Sequence, residues 1–164
     1  PNMIIVAPQP NDWTQTSANQ IVELTEYLLL AYDIDPERVY LEGYSYGGET
    51  LSLVMDTKPQ LYRAALHLAS QWDGDVEALA TARVPLRISL GDNDEFYSVE
   101  AAQRVVDELR ALYEAQGLSE EEIDRLVVLD VKPASYFWDP DEQHGGGSPR
   151  MARDPEVLGW LFAQ

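Results

Sequence analysis

Short apolar runs alternate with helical patterns along the whole of this chain. The runs have the length of buried strands and lie at 3–7, 39–41, 64–69, 86–90 and 126–131. Helices are predicted between and after them, at 17–32, 50–55, 105–112, 119–122 and from 154 onward. The first helix carries a capping-box pair, Ser17 and Gln20, at its predicted start. Strands that alternate with helices predict a doubly wound α/β fold with a mostly parallel sheet.

The size of the chain favours one folded domain over two. Its 164 residues are 45% hydrophobic, which is enough to bury a sizeable core. The first apolar run, 3–7, starts almost at the first residue and is closed by Pro8 and Pro10, so it is interpreted as a fully buried strand. A buried strand so close to the start is typical of the middle of a domain. We therefore expect the chain to be a fragment.

Charge and composition exclude several classes of partner and site. The chain has 29 acidic and 11 basic residues and a formal charge of −18, which repels nucleic-acid phosphates and anionic lipids. Neither nucleic acid nor membrane is expected as a partner. The lack of cysteine excludes disulfides and thiolate metal sites but leaves the compartment unknown, cytoplasmic or secreted. The pairs Asp73 with Asp75 and Asp92 with Asp94 have too few ligands for a calcium loop, so no metal or cofactor is expected.

A G-x-S-x-G motif at 43–47 connects the apolar run 39–41 with a predicted helix. Alone the motif is weak, because glycine and serine are common residues. Between a strand and a helix, however, a sharp and strained turn is expected to expose the hydroxyl of Ser45 as a nucleophile. Gly43 and Gly47 are expected to give the strand and the helix room to approach this turn. The competing interpretation is an ordinary glycine-rich turn.

A longer segment around this motif carries a family resemblance. Residues 35–48, DPERVYLEGYSYGG, resemble the D-P-x-R-[IV]-Y-x-x-G-x-S-x-G-G segment of α/β-hydrolase esterases and depolymerases, and of related prolyl-oligopeptidase-type peptidases. The runs 3–8, 64–70, 84–94 and 126–131 resemble the fourth, sixth, seventh and eighth strands of that family. The resemblance implies a single α/β-hydrolase catalytic domain over 1–164 that is N-terminally incomplete. It also implies a serine hydrolase.

A serine nucleophile needs a base, and the chain has only two histidines. His67 lies inside the apolar run 64–69, where a core histidine is expected. His144 lies in a predicted glycine-rich loop between the last strand and the last helix, which is where the family has its catalytic histidine. We therefore assign His144 as the base and interpret Gly145 to Gly147 as freedom for its loop. The alternative, an oxyanion H-G-G-G motif, is disfavoured because such motifs precede the nucleophile.

The acid is expected in the segment Gly91-Asp92-Asn93-Asp94, which resembles the G-x-x-D acid loop of the family. Asp94 takes the aspartate position, and its carboxylate would accept the Nδ1–H of the imidazole. Asp92 is the fallback, and a helix-capping cluster is the structural alternative. The order Ser45, Asp94, His144 agrees with the order in this fold and with neither the chymotrypsin nor the subtilisin order.

The resemblance also predicts an oxyanion site and a gap in the sheet. The backbone N–H of Tyr46 is expected to donate to the oxyanion, and the second donor of the family, from the loop after its third strand, is not in this sequence. The family sheet runs 1-2-4-3-5-6-7-8, so the slot beside the run 39–41 would be empty. We expect an upstream segment or a second copy of the chain to fill it; the alternative is that 3–7 slides over to pair with 39–41.

The predicted reaction is acyl transfer to water through an acyl-enzyme, with a small-molecule ester as the substrate. Aromatic residues on loops are expected to surround the site, and those assigned to substrate binding are Tyr44, Trp72, Tyr97 and Trp138. Tyr136 and Phe137 lie on the same loops. Each aromatic residue has the alternative role of a half-buried anchor. A prolyl-oligopeptidase-type peptidase and a non-catalytic binding module remain as alternative functions.

Overall fold

The computed structural model describes residues 3–164, and the side chains of all of these except 146–149. Its sheet has the strands β1 (Tyr40–Tyr44), β2 (Ala64–Leu68), β3 (Leu86–Gly91) and β4 (Val127–Lys132). The strands pair in the order β1-β2-β3-β4, and every pair is parallel. The helices are α1 (Gln15–Ala31), α2 (Tyr46–Thr57), α3 (Glu77–Ala82), α4 (Val99–Ala115), α5 (Glu120–Leu126), α6 (Gln143–Met151) and α7 (Pro155–Phe162).

Helices cover the sheet on both faces, so the predicted doubly wound α/β fold is confirmed. The larger core lies between one face and helices α1 to α5, and the smaller core lies between the other face and helices α6 and α7. Strand β2 is buried along its whole length, which explains its nearly continuous apolar sequence. Among the described residues, no helix combines the length and the apolar character that crossing a membrane requires.

The helix starts show which local signals were correct. Helix α1 begins at Gln15 and not at the predicted Ser17, because the hydroxyl of Thr14 accepts the N–H of Thr16 and caps the helix. The hydroxyl of Ser17 donates instead to Asp12, at 2.8 Å. Helix α5 begins with a capping box, in which the carboxylate of Glu122 accepts both the N–H and the hydroxyl of Ser119.

The strand predicted at 3–7 is wrong. Residues 3–10 have no regular secondary structure, and Ile5 is 79% exposed. Within the described residues β1 pairs only with β2, so 3–7 does not slide over to pair with β1. A strand needs a neighbour that completes its backbone hydrogen bonds, and an apolar run by itself does not supply one. A partner segment beside β1 stays a prediction.

An ionic cluster on the sheet contacts α7 through Glu156, whose side chain is 73% exposed. Arg87 on β3 donates to Asp130 on β4 at 2.7 Å and to Glu156 on α7 at 2.9 Å. Lys132 adds a second contact to Asp130, at 2.9 Å. Burial disfavours the Asp130 carboxylate, but the bonds from Lys132 and Arg87 outweigh it and hold the pKa of Asp130 below its usual value. This cluster contacts the helix that follows α6, the helix that carries His144.

His67 is 1% exposed, as expected of a core histidine, and its Nε2 lies 3.1 Å from the carbonyl oxygen of Gln71. Burial lowers the pKa of His67 to about 4, so the folded protein keeps the ring neutral where the unfolded chain binds a proton. The resulting stability is complete above pH 6.5 and is lost as the pH falls toward 4.

We predict that protonation of His67 alone lowers the free energy of unfolding by up to about 3 kcal/mol over this pH range.

The measurement is urea unfolding between pH 4 and 7 for the native chain and for His67→Gln, whose amide does not titrate. The variant should lose clearly less stability than the native chain as the pH falls. Equal pH dependence of the two proteins would contradict the prediction.

Candidate active site

Ser45 occupies a strained turn between the end of β1 and the start of α2. Its backbone has φ 53° and ψ −128°, a conformation that non-glycine residues rarely adopt. Its N–H donates to the carbonyl oxygen of Leu68 on β2 at 3.0 Å, and its own carbonyl accepts the hydroxyl of Ser70 at 2.7 Å. Two bonds to the neighbouring strand and its following loop therefore hold the turn in place.

The tight packing around this turn requires Gly43 and Gly48. A Cβ on Gly43 would lie 2.4 Å from the carbonyl oxygen of Gly47, and a Cβ on Gly48 would lie 2.4 Å from the Cβ of Ser70. A Cβ on Gly47 would meet no atom within 4 Å. The packing role predicted for Gly47 is thus wrong, and Gly48 has it instead.

The structure brings Ser45, His144 and Asp94 into one hydrogen-bonded line. The Oγ of Ser45 lies 3.0 Å from Nε2 of His144, and Nδ1 of His144 lies 3.0 Å from Oδ2 of Asp94. An ionised carboxylate can only accept, so in the neutral ring Nδ1 carries the proton and Nε2 accepts the serine hydroxyl. The other carboxylate oxygen of Asp94 accepts the N–H groups of Phe96 and Tyr97, both at 3.0 Å. The Asp94 side chain is completely buried, and these bonds satisfy it.

His144 lies in the first turn of α6, so its predicted position in a flexible loop is wrong. The helix contains Gly145 to Gly147, and each glycine in a helix interior costs about 1 kcal/mol relative to alanine. Local propensity therefore disfavours this helix. Tertiary contacts at its first turn compensate for the weak sequence.

Two residues that the sequence analysis did not single out, Glu95 and Gln143, hold this first turn. The two carboxylate oxygens of Glu95 accept the backbone N–H of Gln143 at 2.6 Å and that of His144 at 2.8 Å. The hydroxyl of Tyr44 donates to the carbonyl oxygen of His144 at 2.9 Å. The position of Glu95 directly after Asp94 was the one signal in the sequence for its role.

Asp92, the fallback acid, has a different contact set. Its carboxylate accepts the side-chain N–H of Gln143 at 2.9 Å and the backbone N–H of Ala134 at 3.2 Å. The side-chain oxygen of Gln143 accepts the N–H of Asn93 at 2.9 Å. Gln143 is 1% exposed, so it is a buried connector between the loop after β3 and the start of α6.

The four aromatic residues predicted to bind substrate fall into two groups. The rings of Tyr44 and Tyr97 lie 5.1 and 5.4 Å from the His144 ring, between centroids. Trp72 packs instead on His67 and the larger core, as the half-buried anchor of the alternative interpretation. Trp138 is 74% exposed, and its ring is contacted by the guanidinium of Arg150.

Tyr97 connects the site to a buried carboxylate on α2. Its hydroxyl donates to Glu49 at 2.8 Å, and Glu49 lies one turn after Ser45 with 9% of its surface exposed. Burial and the hydrogen bond to Glu49 raise the pKa of Tyr97 to about 12. The phenol therefore stays protonated at neutral pH and remains a donor to Glu49.

Sequence analysis missed two further exposed aromatic residues, Phe96 beside His144 and Trp13 beside Tyr46. Phe96 is 75% exposed, and its ring centroid lies 4.8 Å from that of His144. Trp13 stacks on Tyr46, the residue after Ser45, with ring centroids 4.4 Å apart. Tyr46 is also the first residue of α2, where a backbone N–H has no acceptor within the helix. Its N–H is thus available beside Ser45.

Comparison with known proteins supplies the family. The family model described as the prolyl oligopeptidase family matches residues 10–112. A comparison with curated proteins found no significant match.

Within the described residues, no group of three or more histidine, aspartate and glutamate side chains is arranged to hold a metal ion.

Solved structures of larger hydrolases share the fold. A thermostable esterase is 25% identical, with a TM-score of 0.68, and the match covers 89% of this chain and 36% of that one. A structure from a study of two prolyl endopeptidases is 16% identical, with a TM-score of 0.63, covering 91% of this chain and 25% of that one. Oligopeptidase B from Leishmania major is 13% identical, with a TM-score of 0.59, covering 93% of this chain and 26% of that one.

This chain thus spans about a quarter to a third of the length of those proteins. The similarity includes the parallel four-stranded sheet and its helices. Because the family model matches more than half of the 164 residues, the chain belongs to the prolyl oligopeptidase family of α/β-hydrolases.

Proposed function

We propose that this chain carries the catalytic triad of a serine hydrolase that cleaves carboxylic esters. The observation that carries the proposal is the line of hydrogen bonds from Ser45 through His144 to Asp94. Family membership supports serine hydrolase chemistry in general. The strained turn at Ser45 adds support, because such turns hold a nucleophile exposed and aligned.

The mechanism has two acyl-transfer steps. The Oγ of Ser45 attacks the ester carbonyl carbon while Nε2 of His144 takes the hydroxyl proton, and the charge of Asp94 stabilises the imidazolium. His144 then gives this proton to the leaving alkoxide, the C–O bond breaks, and an acyl-enzyme remains. Water attacks the acyl-enzyme with His144 again as base, which releases the carboxylic acid and restores Ser45.

The oxyanion of each tetrahedral intermediate needs backbone donors. The N–H of Tyr46 is the proposed donor from this chain, since it stands at the N-terminus of α2 without a helical acceptor. The positive end of the α2 dipole favours negative charge at the same place.

An ester is the preferred substrate over a peptide. The thermostable esterase combines higher identity with a higher TM-score than the structure from the prolyl endopeptidase study. The family match itself favours the second candidate, a prolyl-oligopeptidase-type peptidase. Both candidates use the same three residues, so the leaving group is what distinguishes them.

The exposed aromatic rings define the proposed substrate subsites. Phe96 packs on the ring of His144, and Trp13 stacks on Tyr46, the residue after Ser45, so exposed aromatic surfaces lie at both of these places. Aromatic surfaces bind planar apolar groups by stacking. We therefore assign the substrate as an ester that carries an aromatic or similarly flat apolar group.

The first prediction concerns the nucleophile and the base. Ser45→Ala should abolish labelling by a fluorophosphonate, and Ser45→Ala or His144→Ala should lower turnover roughly 10⁵ to 10⁶-fold with the fold intact. Ser135→Ala, an exposed serine, and His67→Gln, the other histidine, are the matched controls and should keep labelling and turnover. Absence of labelling in the folded native chain would favour the non-catalytic binding module.

The second prediction concerns the bond that is cleaved. The kcat/KM for p-nitrophenyl esters should exceed that for aminoacyl p-nitroanilides, including one with proline before the scissile bond. The ester and the anilide should carry the same acyl group, and each kcat/KM is divided by the rate constant of uncatalysed hydrolysis, because p-nitrophenolate is intrinsically a better leaving group than p-nitroanilide. A higher kcat/KM for the prolyl anilide would reverse the order of the two candidates.

The third prediction concerns Phe96, whose exposure allows truncation without loss of the core. Phe96→Ala should raise KM for an aryl-acyl ester about 3 to 10-fold, because one stacking surface is lost. KM for the acetyl ester of the same alcohol should change little, which makes it the internal control. An equal effect on both esters would show that Phe96 does not contact the acyl group.

A further inference from the structure

Glu95 and its neighbour Asp94 both bind His144: Glu95 accepts its backbone N–H, and Asp94 accepts from its ring. Its Oε1 accepts the N–H of Gln143 at 2.6 Å, and its Oε2 accepts the N–H of His144 at 2.8 Å. These N–H groups belong to the first turn of α6, where a helix has no internal acceptors. A carboxylate from the loop after β3 therefore caps a helix that follows β4.

This cap stands where α6 most needs stabilisation. The three glycines that follow His144 disfavour a helix, and the helix nevertheless begins at Gln143. A negative charge at a helix N-terminus also interacts favourably with the helix dipole. Partial burial raises the pKa of Glu95, but the backbone N–H groups, that of His144 foremost, lower it more and keep the carboxylate charged.

Adjacent residues thus fix one side chain in two ways. Asp94 sets the orientation of the imidazole through Nδ1, and Glu95 sets the place of the backbone from which the imidazole extends. The Ser45 Oγ to Nε2 distance of 3.0 Å depends on both. A displacement of about 1 Å at a reacting group can lower a rate about 10²-fold.

We propose that Glu95 is a positioning residue that places His144 for proton transfer with Ser45. This proposal rests on the proposed serine hydrolase function for its kinetic consequences, but the placement of the ring can be measured without activity. Glu95 acts through the main chain of His144 and does not contact the reacting atoms.

The test compares Glu95→Ala and Glu95→Gln with Glu142→Gln. The glutamine retains one acceptor oxygen and loses the charge and the second acceptor. Glu142 precedes Gln143, is exposed and forms no side-chain hydrogen bond in the described structure. Glu142→Gln therefore removes one negative charge beside the start of α6 without removing an acceptor of its N–H groups. Circular dichroism establishes that each variant is folded before kinetics are measured.

We expect Glu95→Ala to lower kcat and the rate constant of fluorophosphonate labelling about 10²-fold with KM unchanged. Glu95→Gln should be intermediate, at about 10-fold, and Glu142→Gln should match the native chain. Rates for Glu95→Ala within about twofold of those for Glu142→Gln would overturn the proposal. A rise in KM at constant kcat would overturn it as well, because it would make Glu95 a substrate contact.

Proton NMR of the histidine rings provides the readout that is independent of catalysis. The chain has two histidines, so His67→Gln leaves His144 as the only source of an imidazole N–H signal. The Nδ1–H held by the buried Asp94 should give a protected, downfield signal that persists in Glu142→Gln and is lost or broadened in Glu95→Ala. Persistence in Glu95→Ala would overturn the proposal. If the native chain neither labels nor turns over, the proposed function fails while this signal still decides the role of Glu95.

Discussion

The hydrogen bond between the ring of His144 and the carboxylate of Asp94 is the contact on which the site depends. It joins groups that are 50 residues apart in sequence, and the next bond, to Ser45, spans 99 residues. A parallel sheet makes such contacts possible, because the carboxyl ends of its strands lie at one edge. Ser45 follows β1, Asp94 follows β3 and His144 lies beyond β4. The order of the strands thus converts distant residues into neighbours.

A buried carboxylate is costly unless it is fully hydrogen-bonded, and this requirement organises the loops. Asp94 accepts two N–H groups of its own loop and the ring N–H of His144. Its neighbour Glu95 accepts two more N–H groups from the start of α6. Gln143 fills the remaining contact between the same two segments. The same hydrogen bonds therefore satisfy the buried polar groups and align the imidazole ring.

Acidic residues have different tasks in different parts of the molecule. Asp130 lies in an ionic cluster with Arg87 and Lys132 on the sheet, and Arg87 also contacts Glu156 on α7. Glu49, one turn after Ser45 on α2, accepts the hydrogen bond from the Tyr97 hydroxyl. Glu95 caps α6. The formal charge of −18 alone does not distinguish these hydrogen-bonded carboxylates from those that contact only solvent, because charge counts contain no information about contacts.

The sequence by itself determined the alternation of strands and helices and the serine turn at 43–47, because periodicity, turn residues and motif spacing are local properties. Asp94 and His144 as the residues that meet this turn followed from the resemblance to the α/β-hydrolase family. Only the tertiary structure decided that 3–7 is exposed coil and that His144 begins a helix. It also decided that Phe96 lies on the His144 ring and Trp13 on Tyr46, whereas Trp72 packs on His67. Each of these features depends on a partner distant in sequence: a strand needs a neighbour, a glycine-rich helix needs a cap, and an aromatic ring is buried or exposed according to what packs on it.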